Sequence, residues 1–89
     1  MTKLAYKEVV NMSDQLVEWL NSVGIFTLEE LKEVGSHRAF LLIRDKIDER
    51  PFHVLSALEA TCRDIFKNEL DRTAREELRA FYESLDNRL

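Results

Sequence analysis

An all-α fold, a small bundle of about five helices, is predicted for this 89-residue chain. Only two glycines and one proline interrupt the sequence, and its apolar residues recur at helical spacing. No segment shows the alternating pattern of a strand bounded by turn residues. A chain of this length supports one domain, which we place at residues 1–89.

The first assignable helix precedes Gly24. Leu16, Leu20 and Val23 share one of its faces, and a glycine at the end of a helix readily adopts the left-handed conformation that closes it. Residues 4–12, LAYKEVVNM, are compatible either with a further short helix or with an extended arm. The pattern does not decide between these two alternatives.

A second helix is predicted to begin at Leu28, because Thr27 and Glu30 have the spacing of a capping box, and to end at Gly35. Ser36 is expected to be the N-cap of a third helix. The apolar face of that helix comprises Ala39, Phe40, Ile43 and Ile47.

Pro51 stands where the first residue of a fourth helix belongs. The apolar face of that helix is expected to include Val54, Leu55, Leu58, Cys62, Ile65 and Phe66. The last helix is capped either by Asp71 or by Thr73 together with Glu76. Its apolar face comprises Ala74, Leu78, Phe81 and Leu85, and its other face is expected to be charged and solvated.

Composition narrows the cellular setting and the class of protein. Cys62 is the only cysteine, so an intrachain disulfide is excluded, which suits a reducing compartment. The N-terminus lacks the apolar core of a signal peptide, and no segment approaches the roughly 20 apolar residues of a membrane span. We therefore expect a cytoplasmic protein without membrane contact.

Catalytic and metal-binding chemistry finds little support in the sequence. His37, His53 and Cys62 are separated by 16 and nine residues, which matches no metal-ligand or nucleophile motif. Both histidines are expected to be exposed, whereas Cys62 and Trp19 are expected to belong to the core. We predict a protein that is not an enzyme and uses no cofactor, metal or small-molecule substrate.

Four short motifs carry a resemblance to a known family. The segments VGI, TLEEL, KEVG and HVLSALEA are similar to the TfoX C-terminal domain, over roughly residues 9 to 85. That family occurs in bacterial regulators of natural competence and as stand-alone small proteins, with an all-α fold related to helix-hairpin-helix domains. The resemblance implies that the bundle is of the helix-hairpin-helix or SAM-like type, and that the protein is a regulatory module in competence or transcription.

The chain departs from the family at one turn. The family usually has a Leu-Pro-Asn-x-Gly turn before its first long helix, and residues 9–13 occupy that position with only Asn11 matching. Ser13 replaces the glycine, which in DNA-binding relatives lets backbone N–H groups approach a phosphate. Ser13 is a good helix cap instead, so the phosphate contact does not transfer to this chain.

Nucleic-acid binding is the second hypothesis. Its candidate residues are Arg38, Arg44, Lys46 and Arg50, which alternate with Asp45, Asp48 and Glu49. The net charge of −4 and the six carboxylates against three lysines in residues 1–35 disfavour DNA, because phosphate contacts supply most of such affinity. The simpler interpretation of the four cations is a solvated helix surface.

Binding to a protein partner, or formation of a homodimer, is the leading hypothesis. Several apolar residues fall beside or opposite the core faces, and a small bundle is not expected to cover all of them. They are Tyr6, Val10, Val17, Leu41 and Tyr82.

Overall fold

The computed structural model describes residues 13–48 and 50–86, and within these ranges the chain forms five α-helices and no strand. The helices are α1 (Asp14–Ser22), α2 (Leu28–Val34), α3 (Ser36–Ile43), α4 (Pro51–Cys62) and α5 (Arg72–Asp86), with 3₁₀ turns at Arg44–Lys46 and Lys67–Glu69. The predicted all-α bundle is confirmed. Residues 4–12, and with them Tyr6 and Val10, lie outside the described residues.

Helix α4 is the centre of the bundle. It packs most extensively on α3 and also contacts α2 and α5. Leu55 and Leu58 have no exposed surface, and buried residues surround α4 instead of forming one stripe. Leu20, Leu31 and Phe40 complete the core from the first three helices. The most apolar helix is therefore covered by α2, α3 and α5, as a small core requires.

Side-chain caps fix the start of three helices. Ser13 accepts a hydrogen bond from the Leu16 N–H of α1 at 3.2 Å. At α2, the Glu30 N–H donates to Thr27 Oγ1 at 3.1 Å, and the Thr27 N–H donates to the Glu30 carboxylate at 3.2 Å. Asp71 accepts from the Ala74 N–H at 2.8 Å, so Asp71 is the cap of α5. These predicted caps are confirmed.

Both glycines close helices at positive φ, as predicted. Gly24 has a φ of 89° and follows α1, where the Ile25 N–H donates to the Leu20 carbonyl at 2.9 Å in the manner of a Schellman motif. Gly35 has a φ of 89° and a ψ of 155°, a conformation that L-residues other than glycine rarely adopt. Its N–H donates to the Leu31 carbonyl at 2.8 Å, which ends α2.

The expected N-cap role of Ser36 is wrong. Ser36 is the first residue of α3, is buried, and donates its hydroxyl hydrogen to the Glu59 carboxylate of α4. Gly35 occupies the N-cap position without a side-chain bond. The serine hydroxyl therefore joins two helices instead of capping one.

Two helices are shorter than their apolar patterns predict. Helix α3 ends at Ile43, and Ile47 follows the 3₁₀ turn in an extended conformation. Helix α4 ends at Cys62 because Asp64 adopts a φ of 62° and the Ile65 N–H returns to the Ala60 carbonyl at 3.0 Å. Among the helices of residues 13–48 and 50–86, none combines the length and hydropathy that crossing a membrane requires.

Candidate functional site

A cleft of about 470 Å³ lies where the beginning of α3 meets the end of α4 and the middle of α5. Ser36, His37 and Cys62 all line it. His37 and Cys62, which no sequence motif connects, both line this cleft because α3 packs on α4. Ser36, His37 and Cys62 are therefore candidate catalytic groups, and their contacts decide whether they can react.

The polar contacts in this cleft hold helices together. Glu59 accepts hydrogen bonds from the Ser36 hydroxyl and from Arg63 Nε, the latter at 2.6 Å. Burial alone would raise the pKa of Glu59, but these two hydrogen bonds outweigh it and lower the pKa. The His37 ring stacks on Phe81, with 4.1 Å between the centroids. No hydrogen bond among the described residues joins His37 to Ser36 or Cys62, so a nucleophile paired with a base is not formed.

Cys62 is an inert thiol in this environment. Burial, followed by the Glu59 carboxylate, raises the pKa of Cys62 to about 11, and its Sγ lies 3.9 Å from the Leu31 carbonyl oxygen. At pH 8 this lowers the thiolate fraction about a hundredfold relative to an ordinary cysteine. We expect a disulfide reagent to label the native protein at least tenfold more slowly than the urea-unfolded protein, measured by absorbance. Equal rates would contradict this environment.

Metal binding has no geometric support in the part of the chain that the structure describes. No group of three or more histidine, cysteine, aspartate or glutamate side chains is placed to hold an ion there. His53 and Cys62 lie on separate faces of α4, since His53 lines a different cleft.

A second concave surface is formed between the beginning of α4, the second 3₁₀ turn and the first half of α5. It consists of two adjoining clefts of about 380 and 250 Å³, which share Phe52, Leu70 and Arg75. We call it the basic cleft, because its lining includes four cationic side chains, Lys67, Arg72, Arg75 and Arg79, and one carboxylate, Glu76. Its charge is opposite in sign to the net charge of the chain.

Two guanidinium groups in the basic cleft are held in place by uncharged neighbours. Arg75 donates to the backbone carbonyls of Leu70 at 3.0 Å and Asn68 at 3.4 Å. Arg79 lies over the Phe52 ring, 4.5 Å from its centroid. Within the described ranges neither arginine forms an ion pair, whereas Arg72 pairs with Glu76 at 3.2 Å. Arg75 and Arg79 therefore keep their positive charge available to a ligand.

Neighbouring cations add to the positive potential of this surface. Lys67 contacts the His53 ring, and Arg50 lies near both. Burial and then Arg50 lower the pKa of Lys67, and burial followed by Lys67 and Arg50 lowers the pKa of His53. The first turn of α4 also contributes the positive end of its dipole. The local potential is thus positive.

The four residues predicted for DNA binding do not converge on one cleft. Arg38 lines the first cleft with Glu59 and Glu77, whereas Arg50 lies beside His53 and Lys67. Arg44 and Lys46 belong to the 3₁₀ turn between α3 and α4. Whether any of them binds DNA stays a prediction. Arg72, Arg75 and Arg79 are three and four residues apart on α5. That spacing is a sequence signal for a shared basic face, which was not among the predicted sites.

The residues predicted for protein contact differ in how exposed they are. Val17 is buried in the core, so its expected surface position is wrong: it lies on the same side of α1 as Leu16 and Leu20. Tyr82 is half-buried, with its ring edge-on to Phe40 and Phe52 at centroid distances of 6.2 and 5.7 Å. Leu41 is 44% exposed.

Leu41 is one of two exposed leucines on α3. Its neighbour Leu42 is also 44% exposed. Leu41 follows His37 by one helical turn, and the His37 ring covers Phe81 of α5. We call Leu41, Leu42 and the stacked pair of His37 and Phe81 the leucine surface.

Comparison with known proteins gives one family and one solved structure. The family model described as the TfoX C-terminal domain matches residues 3–82. A crystal structure described as an uncharacterized protein from Listeria monocytogenes is 36% identical in sequence, with a TM-score of 0.85. The match covers 91% of this chain and 92% of that chain. No curated protein matches the sequence.

Proposed function

Because the chain belongs to the TfoX C-terminal domain family, as its motifs indicated, we propose that it is a non-enzymatic regulatory module that binds another protein. The setting we propose is the control of competence or of transcription, which is the role that the family resemblance implies. The partner contact would deliver the regulatory signal, since the described residues offer binding surfaces and no assembled catalytic group.

The leucine surface is the observation that carries this proposal. Two consecutive leucines of one helix are each 44% exposed, although 16 apolar residues of the described ranges are buried in the core. Exposed apolar side chains that adjoin one another are typical of protein interaction sites. The His37 ring extends this surface toward α5 by stacking on Phe81. An apolar protein partner would remove these side chains from water.

The contacts in the first cleft support a role without catalysis. The Ser36 hydroxyl donates to Glu59, and the His37 ring stacks on Phe81 without a hydrogen bond to Ser36 or Cys62 among the described residues, so no nucleophile is paired with a base here. The high pKa of Cys62 likewise disfavours thiolate chemistry.

The test is to replace both leucines with glutamate. We expect Leu41→Glu/Leu42→Glu to retain the circular dichroism spectrum, because both positions are exposed, and to weaken partner binding at least tenfold. Affinity purification from the source cells with the wild type identifies the partner, and calorimetry with the purified partner measures the loss. Phe26→Glu is the matched control, since Phe26 is 42% exposed and lies before α2.

Two results would contradict the proposal. One is a strict monomer by light scattering from which no partner is recovered. The other is tight binding of duplex DNA at about 50 mM salt that is lost at about 200 mM, which would indicate phosphate contacts instead of protein contacts. Fluorescence anisotropy of labelled duplex DNA distinguishes these cases.

A further inference from the structure

The basic cleft is a site that the family assignment and the leucine surface leave unexplained. From its geometry we infer that it binds an acidic, helical protein segment. Carboxylates one turn apart on that segment pair with Arg75 and Arg79, and the apolar side chains beside them pack against Phe52. This inference rests on the proposed function, because it names the chemistry of the protein partner.

The first argument is that the cations are already positioned. Two backbone carbonyls hold the Arg75 side chain, and the Phe52 ring holds Arg79. A guanidinium fixed in this way loses less conformational entropy when it forms a two-point contact with a carboxylate. Phe52 is itself held by the edge-on contact with Tyr82, which continues to Phe40 in the core. The site therefore exists before the ligand arrives.

The second argument is the spacing of the charges. Arg75 and Arg79 are four residues apart on α5, so their side chains emerge one helical turn apart on the same face. Carboxylates one turn apart on a partner helix have the same spacing. Arg72 belongs to this face too, but Glu76 neutralises part of its charge.

The third argument is that the lining is both apolar and charged. The half-buried Phe52 ring and Leu70 lie between the cations and are shared by the two clefts. Apolar side chains of a peptide can contact the accessible part of the Phe52 ring while neighbouring carboxylates reach the arginines. A purely ionic ligand would leave this part of the cleft unused.

The surroundings of the cleft favour a protein segment over nucleic acid. Glu69, Asp71 and Glu76 flank the cations and repel any anion. A phosphate backbone carries a charge at every nucleotide and would meet these carboxylates along its length. A helical peptide whose carboxylates lie only on the face toward Arg75 and Arg79 meets less repulsion.

The experiment uses the full chain and a fluorescein-labelled synthetic peptide of about four helical turns, with glutamate or aspartate at every fourth position and leucine or phenylalanine beside each of them on the same helix face. Anisotropy is measured at roughly 150 mM salt. We expect binding that weakens at least tenfold in Arg79→Glu and in Arg75→Glu. Arg79→Lys should weaken it several-fold, because lysine keeps the charge but lacks the planar fork.

The matched control is Arg38→Glu, which makes the same charge change in the first cleft. It should alter the affinity less than twofold. A peptide with lysine at every acidic position should not bind, and one with serine at every apolar position should bind at least fivefold more weakly than the parent. The Arg79 side chain is exposed and, unlike that of Arg75, donates no hydrogen bond to a described backbone carbonyl. Arg79→Glu therefore remains informative if Arg75→Glu fails to fold.

Four results would overturn the inference. They are no binding of the acidic peptide, an equal loss in Arg38→Glu, tighter binding of duplex DNA through the same arginines, and salt-sensitive self-association that Arg79→Glu abolishes. The last would make a second copy of the chain the occupant. If the peptide fails while Leu41→Glu/Leu42→Glu still loses its partner, the inference is wrong and the proposed function stands.

Discussion

Phe40→Ala is expected to lower the free energy of unfolding by about 3–5 kcal/mol. Phe40 has no exposed surface, and its ring is met edge-on by Tyr82. The truncation removes the transfer free energy of the ring and leaves a cavity among α1, α3 and α4 that close packing prevents from collapsing completely. A domain of this size is typically stable by only about 5–10 kcal/mol, so the variant should unfold at a clearly lower urea concentration than the wild type. Urea denaturation followed by circular dichroism measures the change.

Leu41→Ala is the control for Phe40→Ala, because it truncates the next residue of the same helix. Leu41 is 44% exposed, so we expect a loss below about 1 kcal/mol. If the two variants were equally destabilised, or if Phe40→Ala cost less than about 1.5 kcal/mol, Phe40 would not be the centre of the core.

The helices could be predicted because their signals are local. The Thr27–Glu30 capping box, the proline at Pro51 and the glycines each act on residues within one turn, and all of them function in the structure as expected. The end of α4 was not predicted, although its signal is also local. Asp64 performs there the role of Gly24 at the end of α1, and aspartate at a left-handed position is too rare to be recognised from one sequence.

The binding surfaces were less predictable because they depend on how the helices pack. Val17 was expected on the surface, yet it is buried, since the helix has to cover more of the core than one narrow stripe. The basic cleft requires α4 and α5 to meet at Phe52 and Leu70, which nothing in the spacing of the arginines specifies. Arg72, Arg75 and Arg79 share a helix face, but the sequence alone does not show which neighbours leave them unpaired.

The contact between Ser36 and Glu59 was also invisible in the sequence, because 23 residues separate the two side chains. A serine after a glycine is typical of a helix N-cap, and that local preference suggested the wrong role. Tertiary packing determines the role of Ser36 instead, because its buried hydroxyl donates a hydrogen bond to a carboxylate of α4. Loss of this contact is therefore expected to reduce the free energy of unfolding.

Glu59→Ala is expected to lower the free energy of unfolding by about 2–3 kcal/mol at neutral pH. The substitution leaves the Ser36 hydroxyl, in a residue that is only 6% exposed, without its acceptor. The ion pair with Arg63 contributes less, because the Arg63 side chain is 43% exposed and water screens its charge. Glu76→Ala is the matched control: Glu76 also pairs with an arginine four residues away, but its side chain is 68% exposed, so a loss below about 0.5 kcal/mol is expected.

The effect of Glu59→Ala should depend on pH in a direction that the structure fixes. The pKa of Glu59 is lowered below its ordinary value near 4.5, so the native state favours the ionised carboxylate. Its contribution is fully present above the pKa of the unfolded chain and is lost as the pH falls through the lower pKa of the native state. The difference in unfolding free energy between wild type and Glu59→Ala should therefore shrink in acid, below pH 4.5. A constant difference from neutral pH into acid would show that packing, and not the charged hydrogen bonds to Ser36 and Arg63, joins α3 to α4.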